Sequence, residues 1–577
     1  MTDAHPGTSD TAEIDLIVHH AKLAPTRQDG PQPTALAVSG EHVVAVGGDE
    51  EVLRGRQRTT RVIDAGGRRL IPGLNDSHLH AIRGGLFYTL ELRWDGVRTL
   101  KRALEMIAEQ AKRTPDGQWV RVIGGWSPFQ FAERRMPTIA ELNEAAPNTP
   151  VFILFAYSRV LLNHAGAEAI GQAPENGGYI ADGTPAAYAL LAKLPAHTSK
   201  EERLVSTRYF WRELNRFGLT SVVDAGASGV AYPDDYSAVA TLAGRPGLGV
   251  RVSHFLFAQS PGTEKASWEH WAAEEQRAVN QAWDRLNGFV LRGAGEILVW
   301  SASDFEDFRA PRPELPESAL AELEEVTRVI AAGQWPIRVH ATYDETITRI
   351  LDVFERVFAE TGYTARWAID HAETIGASNI ARMKALGGGI AVQDRLAFAG
   401  EYFLEHQGAQ AAEHVQPLRQ IVEAGIPLGG GTDATRVAGY NPWISLYWLV
   451  TGKTVGGAQI AAPAGRLSRW EALRIYTAGS AWFSGEENVK GLLAPGQLAD
   501  FALLTDDYLD PRAVPDEQIP AIESVLTVTG GEVVYAAAPF QRWAPEPLPP
   551  VSPSWSPVAE YGGYQQGDGP HLTGEAA

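Results

Sequence analysis

Short stretches of alternating apolar and polar residues lie near both ends of this chain. Residues 14–47 have the pattern of several short strands joined by tight turns. The same pattern returns at residues 496–504 and 525–535. We therefore expect both chain ends to build one small β domain, with residues 13–70 and 485–540 as its two parts.

Between these ends, residues 71–484 alternate strand-like apolar runs with helix-like segments. This alternation predicts an α/β fold with parallel strands. The ten strand candidates exceed eight, so one or two are expected outside any eight-stranded barrel, in the chain before residue 260. The strand candidates are residues 71–76, 119–124, 150–156, 220–225, 249–257, 294–300, 336–340, 366–370, 389–393 and 426–431. The helix candidates include residues 99–113, 201–217, 317–332 and 346–361.

Three segments lack a clear period. Residues 1–12 are polar, and we expect them to form a flexible N-terminus. Residues 158–200 contain a stretch rich in turn-forming residues, which predicts a lid-like loop over a site. Residues 541–577 hold seven prolines together with Trp543 and Trp555. We expect an extended or disordered tail, which the tryptophans could pin to the body or to another subunit, so a homo-oligomer stays open.

The composition excludes several function classes. A chain of 577 residues, 44% apolar and 21% charged, has material for one large core and a smaller one. The net charge of −20 disfavours a nucleic acid or an anionic membrane as partner, which leaves a small-molecule substrate. The longest apolar run, residues 151–157, is too short to span a bilayer, and the polar N-terminus lacks a secretory signal. A cytoplasmic location is expected.

The first indication of chemistry is Ile71-Pro-Gly-Leu-Asn-Asp-Ser-His-Leu-His80, an apolar strand that ends in two histidines one residue apart. Side chains alternate along a strand, so His78 and His80 point the same way and can reach one metal ion. Because the chain has no cysteine, any metal must use His, Asp, Glu or a modified Lys. On its own, the pair is better explained by one capping and one core histidine.

Three later strand candidates also end in metal-ligand side chains. Ile337-Arg-Val-His340 and Trp367-Ala-Ile-Asp-His371 each end in a histidine, and Ile426-Pro-Leu-Gly-Gly-Gly-Thr-Asp433 ends in an aspartate. Each of these residues alone could cap the helix that follows. In a βα barrel, however, the carboxyl ends of all strands meet at one mouth. We therefore predict one metal centre formed by His78, His80, His340, His371 and Asp433.

This order of ligands resembles the amidohydrolase superfamily. Further segments resemble its YtcJ-like branch (amidohydrolase 3), which contains N-substituted formamide deformylase. These segments are Gly218-Leu-Thr-Ser-Val-Val-Asp-Ala-Gly226, Pro137-Thr-Ile-Ala-Glu-Leu142, Asp370-His-Ala-Glu373 and Thr527-Val-Thr-Gly-Gly-Glu-Val-Val-Tyr535. The resemblance covers residues 14 to about 540. It implies a (β/α)8 TIM barrel at residues 71–484 that carries a small β-sandwich, and a divalent metal, usually zinc.

The resemblance also implies roles for the ligands. His78 and His80 would hold the more buried ion with Asp433, and His340 and His371 would hold a second ion or join a single-ion site. Many relatives bridge two ions through a carboxylated lysine on the fourth strand, but residues 291–300 contain no lysine. Glu296 offers the same charge and hard oxygens there. It could also be an ordinary salt-bridge partner, so the number of bound ions, one or two, stays open.

The ligand types indicate the reaction. Imidazole and carboxylate ligands suit zinc, iron or manganese, which activate a water near neutral pH. Asp433 would take the proton of that water and return it to a leaving nitrogen, while the metal or an imidazolium of the centre (His340, His371) polarises the carbonyl. We expect hydrolysis of an amide or formamide-type C–N bond. The alternatives are a hydrolytic deaminase or cyclic-amide hydrolase, then a decarboxylase or isomerase, then a non-catalytic scaffold.

Residues that contact the substrate are harder to identify. Aromatic side chains and one arginine near the strand ends would suit an apolar amide, with or without a carboxylate. They would serve equally well as core residues or as the partner of an acid. These candidates are Trp126, Tyr157, Arg159 and Trp300. Asp76 and Asp224 are interpreted as groups that orient ligands. His164 and His254 lie outside the strand-end pattern and are not expected to be ligands.

Overall fold

Eight parallel strands form a nearly closed barrel in the computed structural model of this protein. The structure describes residues 13–565, except residues 31, 173–175, 198, 244–248, 283–287, 305–307, 309–311 and 313. The strands follow one another around the barrel in chain order, as the (β/α)8 fold predicts. Barrel strands 1 to 8 are Leu74–Leu79, Leu219–Asp224, Arg251–Leu256, Phe289–Ala294, Ile337–Ala341, Trp367–His371, Gly389–Gln393 and Leu428–Gly431. The predicted TIM barrel is confirmed.

Glycines allow barrel strands 1 and 8 to lie side by side. A Cβ atom on Gly431 would lie 2.6 Å from Oδ1 of Asp76 and 2.7 Å from the amide nitrogen of His78. Just beyond strand 8, the Asp433 amide donates to the His78 carbonyl at 2.9 Å. A Cβ atom on Gly429 would likewise lie 2.9 Å from that of Ser77. Gly429 and Gly431 therefore let the last strand approach the first, and this closure brings Asp433 beside the two histidines.

Helices cover the outside of the barrel, and several begin at recognisable caps. The Thr99 side chain accepts from the Arg102 amide, and Ser199 forms a capping box with Glu202. The four predicted helices lie within two residues of the observed bounds at each end. The α-helices are Asp49–Leu53, Ala81–Phe87, Leu100–Ala111, Ile139–Ala145, His164–Ala169, Thr184–Leu191, Lys200–Arg216, Ser237–Ala243, Glu264–Glu274, Gln276–Ala282, Glu317–Ala332, Asp344–Thr361, Ala377–Leu386, Arg395–Ala412, Leu418–Ala424, Pro442–Thr451, Arg469–Arg474 and Val558–Tyr561.

Two further sheets join the ends of the chain. One contains, in order, His42–Gly47, Ala35–Ser39, Leu16–His19 and Arg61–Asp64. The other contains Lys22–Leu23, Arg69–Pro72, Phe501–Leu504, Ser524–Thr529 and Glu532–Ala536. Both sheets contribute to one apolar core, for example through Leu16, Leu36 and Phe501. The chain ends therefore pack together, while the domain limits given above stay a prediction.

A fourth sheet lies outside the barrel and contains Val120–Ile123, Val151–Phe155, Arg159–Asn163 and Gly178–Asp182. Its first two strands are the surplus strands expected before residue 260. The last two fall in the segment 158–200, which was predicted to be a loop. That segment also contains the helices His164–Ala169 and Thr184–Leu191. The many turn-forming residues indicated a loop, but the segment contains two antiparallel strands whose buried side chains pack on the neighbouring strands.

The proline-rich C-terminal segment packs on the barrel as far as residue 565. The Tyr564 amide donates to Oε1 of Glu213 at 2.8 Å, and the Gln565 amide donates to the Asp95 carbonyl at 2.8 Å. Trp555 accepts from Gln110 at 2.8 Å through its carbonyl. The expected flexible N-terminus and the last twelve residues of the tail lie outside the described residues. Among the described residues, the structure contains no helix that is both long and apolar enough to cross a membrane.

Candidate metal centre and catalytic cavity

Six side chains from the carboxyl ends of barrel strands 1, 4, 5, 6 and 8 meet at one mouth of the barrel. All six are at most 6% exposed. They lie in the last residues of a strand or within two residues after it, because that is where the chain leaves the barrel wall. We call these residues the donor cluster: His78, His80, Glu296, His340, His371 and Asp433.

One half of the donor cluster contains His78, His80 and Asp433. The ligand atoms of these three residues all lie within 4.8 Å of one another. Oδ1 of Asp433 is 3.0 Å from Nε2 of His80 and 3.6 Å from Nε2 of His78. Burial would raise the pKa of Asp433, but hydrogen bonds from His78 and His80 hold it far below its usual range. The carboxylate is therefore ionised at neutral pH.

Glu296 lies between this half and the other two histidines. Its Oε2 is 3.0 Å from Nδ1 of His340 and 2.9 Å from Nε2 of His371. Its Oε1 faces the opposite way, 3.6 Å from Nε2 of His78 and 3.7 Å from Nε2 of His80. Burial would raise the pKa of Glu296, but His78 and hydrogen bonds from His340 and His371 hold it well below its usual range. Each carboxylate oxygen thus faces one half of the cluster.

The orientation of three of the four imidazoles is fixed by a partner on the far side of the ring. Nδ1 of His78 is 3.1 Å from Oδ1 of Asp370, which is itself paired with Arg338. Nδ1 of His80 contacts the Gly226 carbonyl oxygen. Nε2 of His340 is 3.2 Å from Oδ1 of Asp304. These contacts leave the opposite ring nitrogen of each histidine facing the centre, as partners of metal-binding histidines do.

Two buried aspartates position the backbone behind the histidines. Asp224 accepts from the amides of Ile82 at 2.7 Å and Gly226 at 2.9 Å, and so places the carbonyl that His80 contacts. Asp76 accepts from the His78 amide at 2.9 Å and from the Thr432 hydroxyl at 2.7 Å. Burial raises the pKa of Asp76 to about 7. Asp76 therefore ties barrel strand 1 to the residue that precedes Asp433.

The donor set fits a divalent metal ion. Nε2 of His78 is fully buried and has no hydrogen-bond partner among the described residues, although carboxylates of two residues lie 3.6 Å away. A buried nitrogen in this state is costly unless it binds something. Burial lowers the pKa of His371 to about 4, so this imidazole is neutral and can act as a ligand. His78 also belongs to a second group of converging ligand atoms, with Glu296 and His371.

A cavity of about 50 Å³ opens over the donor cluster. That volume holds a few water molecules or a small acyl group, since one water needs roughly 10–15 Å³. Besides donors, its walls contain aromatic and cationic side chains. The cavity is lined by His80, Arg83, Tyr157, Thr184, Tyr188, Ser228, Phe257, Glu296, His340, Arg395, Asp433 and Val437. Thr184 and Tyr188 belong to the segment 158–200, which contributes a helix to the wall.

The four predicted substrate-contacting residues occupy different places. Tyr157 lines the cavity, and its hydroxyl accepts from Nη1 of Arg436 at 3.2 Å. Trp300 lies behind the wall, with its ring 5.7 Å from that of Phe257. Trp126 is a core residue whose ring stacks on Phe131, away from the cavity. Arg159 pairs with Asp182 at 2.6 Å at the surface, so neither Trp126 nor Arg159 lies where it could contact a substrate in the cavity.

The sequence did not indicate seven residues that line the cavity: Arg83, Thr184, Tyr188, Ser228, Phe257, Arg395 and Val437. Arg83 could have been noticed, because it is the single charged residue in the apolar and glycine-rich segment Ala81–Phe87 that directly follows His80. The two histidines that were not expected to be ligands lie elsewhere. His254 stacks on Phe289 at 4.4 Å, and His164 is half exposed beside Glu168.

Comparison with known proteins identifies similar chains over most of this length. A sequence profile described as "Amidohydrolase family" matches residues 61–535. N-substituted formamide deformylase from Arthrobacter pascens is 25% identical over 526 residues, which covers 86% of this chain and 94% of that protein. The YtcJ protein of Bacillus subtilis is 23% identical, with 90% of this chain and 99% of that protein covered.

Solved structures share the fold. An uncharacterized metal-dependent hydrolase from Pyrococcus furiosus superposes with a TM-score of 0.62 at 19% identity, covering 86% of this chain and 100% of that chain. Atrazine chlorohydrolase TrzN from Arthrobacter aurescens, complexed with zinc, gives a TM-score of 0.52 at 16% identity, with 90% and 95% covered. At these identities the likeness extends to the fold alone.

Proposed function

The chain belongs to the amidohydrolase family of metal-dependent hydrolases that act on carbon–nitrogen bonds, and we propose that it hydrolyses a small molecule at the donor cluster. The bond that it cleaves is proposed to be an amide or formamide-type bond. The observation that carries the proposal is the position of Glu296, with one oxygen toward each half of the cluster. With one oxygen on each side, Glu296 could serve two divalent ions. We propose zinc, which suits imidazole and carboxylate ligands, although iron or manganese would accept the same ligands.

The ions would bind at the two halves of the donor cluster. His78, His80 and Asp433 would hold one ion, and His340 and His371 the other. When bound, a divalent metal supplies Lewis acidity and a water whose pKa lies near neutrality. The chain itself supplies fixed ligands, a proton acceptor and a cavity that restricts access of bulk water.

Asp433 is the proposed general base and acid. It lines the cavity, and its carboxylate is ionised at neutral pH, so an oxygen free of a proton faces the place where the water would react. As the water oxygen bonds to the carbonyl carbon, its proton moves to the Asp433 carboxylate. When the C–N bond breaks, Asp433 returns that proton to the leaving nitrogen. The products are a carboxylic acid, or formate from a formamide, and an amine.

His340 and His371 serve this reaction as ligands rather than as proton donors. The pKa of His371, lowered to about 4 by burial, leaves no proton to donate at neutral pH. Nε2 of His340 is directed toward Asp304 and its Nδ1 toward Glu296, so neither nitrogen faces the cavity alone. Neither imidazole is therefore expected to polarise the carbonyl oxygen, and a bound metal would supply that polarisation.

Two observations support an amide or formamide as the substrate. The Arthrobacter pascens relative carries the name N-substituted formamide deformylase, which supports an amide or formamide. The cavity of about 50 Å³ accommodates a small acyl group at the donors more readily than a ring. A deaminase or a cyclic-amide hydrolase would bring a ring to the same place, and remains the second candidate for that reason.

The test compares metal-depleted and metal-loaded protein. The chain is treated with a chelator, reloaded with Zn²⁺, Mn²⁺ or Fe²⁺, and incubated with N-substituted formamides and acetamides, aminopyrimidines and cyclic imides. We expect amine and formate or acetate to appear in equal amounts, only with metal, and not with Asp433→Asn. The proposal would be overturned in favour of the second candidate if the protein released ammonia from aminopyrimidines or opened the imides, but did not hydrolyse the formamides and acetamides.

A further inference from the structure

We propose that Arg83 binds a carboxylate on the substrate, so that the natural substrate is an amide bearing a carboxylate near the scissile bond, of the N-formyl or N-acyl amino acid type. This inference rests on the proposed function and names the substrate class of the same site. The reaction would be water plus N-acyl amino acid giving a carboxylate and a free amino acid, with the charge on Arg83 unchanged throughout.

Arg83 differs from the other buried arginines near the barrel mouth. Its side chain is buried, with the residue 3% exposed, and lines the cavity beside Glu296 and Asp433. Its Nε has no hydrogen-bond partner, and no described acidic residue lies within ion-pair distance of its guanidinium. Three other buried arginines have acidic partners: Arg93 with Asp95, Arg338 with Asp370, and Arg395 with Glu373. Arg121 is also buried without an ion pair among the described residues, but it does not line the cavity.

A second cation near the cavity increases the cost of this arrangement. Burial and the charge of Arg436 both lower the pKa of Arg83. Arg436 donates to the Tyr157 hydroxyl at 3.2 Å, and no described carboxylate forms an ion pair with it. A buried, unpaired charge is unfavourable, and a like charge beside it adds to the cost. An anion bound beside Arg83 would offset both the cost of the buried charge and the repulsion between the two cations.

The chemistry of the side chain selects the class of anion. A guanidinium presents parallel N–H donors that match the two oxygens of a carboxylate. Arg83 follows His80 by three residues, and both side chains line the same small cavity. A carboxylate on Arg83 is therefore close to the carbonyl at the donor cluster, as in an amide whose nitrogen and carboxylate share one carbon atom. A neutral formamide would leave Arg83 unpaired.

The experiment compares matched probes on the zinc-loaded protein. N-formylglycine and both enantiomers of N-formylalanine and N-formylphenylalanine are each paired with the corresponding neutral amide. Binding is measured by calorimetry with wild type, Arg83→Met, Arg83→Lys and the control Arg102→Met, which removes an exposed arginine. We expect at least one acid to bind about 10- to 100-fold more tightly than its amide, the range of a charge-assisted contact.

The variants determine whether Arg83 causes this preference. Arg83→Met should lose it, Arg83→Lys should keep only part of it, and Arg102→Met should keep all of it. Arg83→Met should melt no lower than wild type, because it removes a buried charge without a partner. Loss of folding in Arg83→Met leaves Arg83→Lys as the deciding variant.

Hydrolysis of the same probes separates this inference from the proposed function. Tight, Arg83-dependent binding of an acid without hydrolysis would support the carboxylate site and contradict the proposed reaction. Equal binding of acids and amides, binding of neither, or a preference unchanged in Arg83→Met and Arg83→Lys would overturn the carboxylate site. Hydrolysis of neutral formamides alone would overturn it while the proposed function stands.

Discussion

The donor cluster and the cavity wall opposite it are built on different physical principles. In the donor cluster, His78, His80 and His340 are each held by an acidic or carbonyl oxygen on the far side of the ring. In the wall, Arg83 has no acidic partner within ion-pair distance among the described residues. A second arginine, Arg436, donates a hydrogen bond to the hydroxyl of Tyr157. These histidines are held by partners within the protein, whereas Arg83 in the wall has no such partner.

This difference separates chemistry from selection. Fixed ligands would hold a metal ion in the same place for every substrate, and this positioning is the expected source of rate. Unpaired groups in the wall contribute only when a substrate supplies the missing partner, which is the source of discrimination. Damage to the cluster should therefore reduce kcat for all substrates, while changes in the wall should alter KM for some of them.

The largest expected effect comes from Asp433→Asn. The amide cannot accept the proton of the water, so kcat should fall by about 10²- to 10⁴-fold for neutral and anionic substrates alike. Steady-state kinetics on the metal-loaded protein measures this, with the exposed Asp116→Asn as control. A loss of less than tenfold would remove Asp433 from its proposed role.

A smaller effect is expected from Asp370→Asn, which changes the partner of Nδ1 in His78. Metal affinity should fall by about 10- to 100-fold, the usual cost of losing such a partner. Competition against a chromogenic chelator measures the affinity, and circular dichroism confirms folding, because Asp370 also pairs with Arg338. Unchanged affinity in the folded variant would show that the histidine needs no partner to stay in place.

In the wall, Tyr157→Phe should act on binding. It removes one hydrogen bond, from Arg436 to the Tyr157 hydroxyl. KM should rise about 2- to 10-fold, in line with the net value of a neutral or charge-assisted hydrogen bond, while kcat stays within about twofold. A large loss of kcat with an unchanged KM would place Tyr157 in the chemistry and blur the distinction between the wall and the cluster.

The smallest effect is expected from Arg159→Met. This side chain is paired with Asp182 at the surface, outside the cavity. Exposed pairs of this kind contribute about 0–1 kcal/mol to stability, so kcat, KM and the free energy of unfolding should change little. A marked rise in KM would mean that the segment 158–200 moves Arg159 into the cavity when a substrate binds.

The ligand positions could be predicted from the sequence because each follows an apolar strand directly. His340 and His371 end such strands, and the fold brings strand ends together. Glu296 was found by its position in the fourth strand region, although the strand itself ends at Ala294 rather than near residue 300. The strand pattern at both chain ends indicated the small β domain, and the resemblance to one family added the eight-stranded barrel.

The wall could not be predicted in this way, because its residues come from elements whose packing decides which side chains face the cavity. Trp126 was a substrate candidate because it lies near the end of a predicted strand, directly after Gly124 and Gly125. In the structure, a Cβ atom on Gly124 would lie 1.8 Å from the Arg436 carbonyl oxygen, so the glycine allows close packing of two loops instead. Tyr188 reaches the cavity only because residues 184–191 form a helix within the predicted loop.

Glu296 is proposed to join two metal sites in one hydrolytic centre. The most direct test is the metal content per chain of freshly purified wild type and Glu296→Gln, measured by mass spectrometry of the metals. We predict close to two divalent ions in wild type and about one in the variant. One ion in both proteins would contradict the bridge, and no bound metal in a fully folded wild-type protein would contradict the metal-dependent reaction itself.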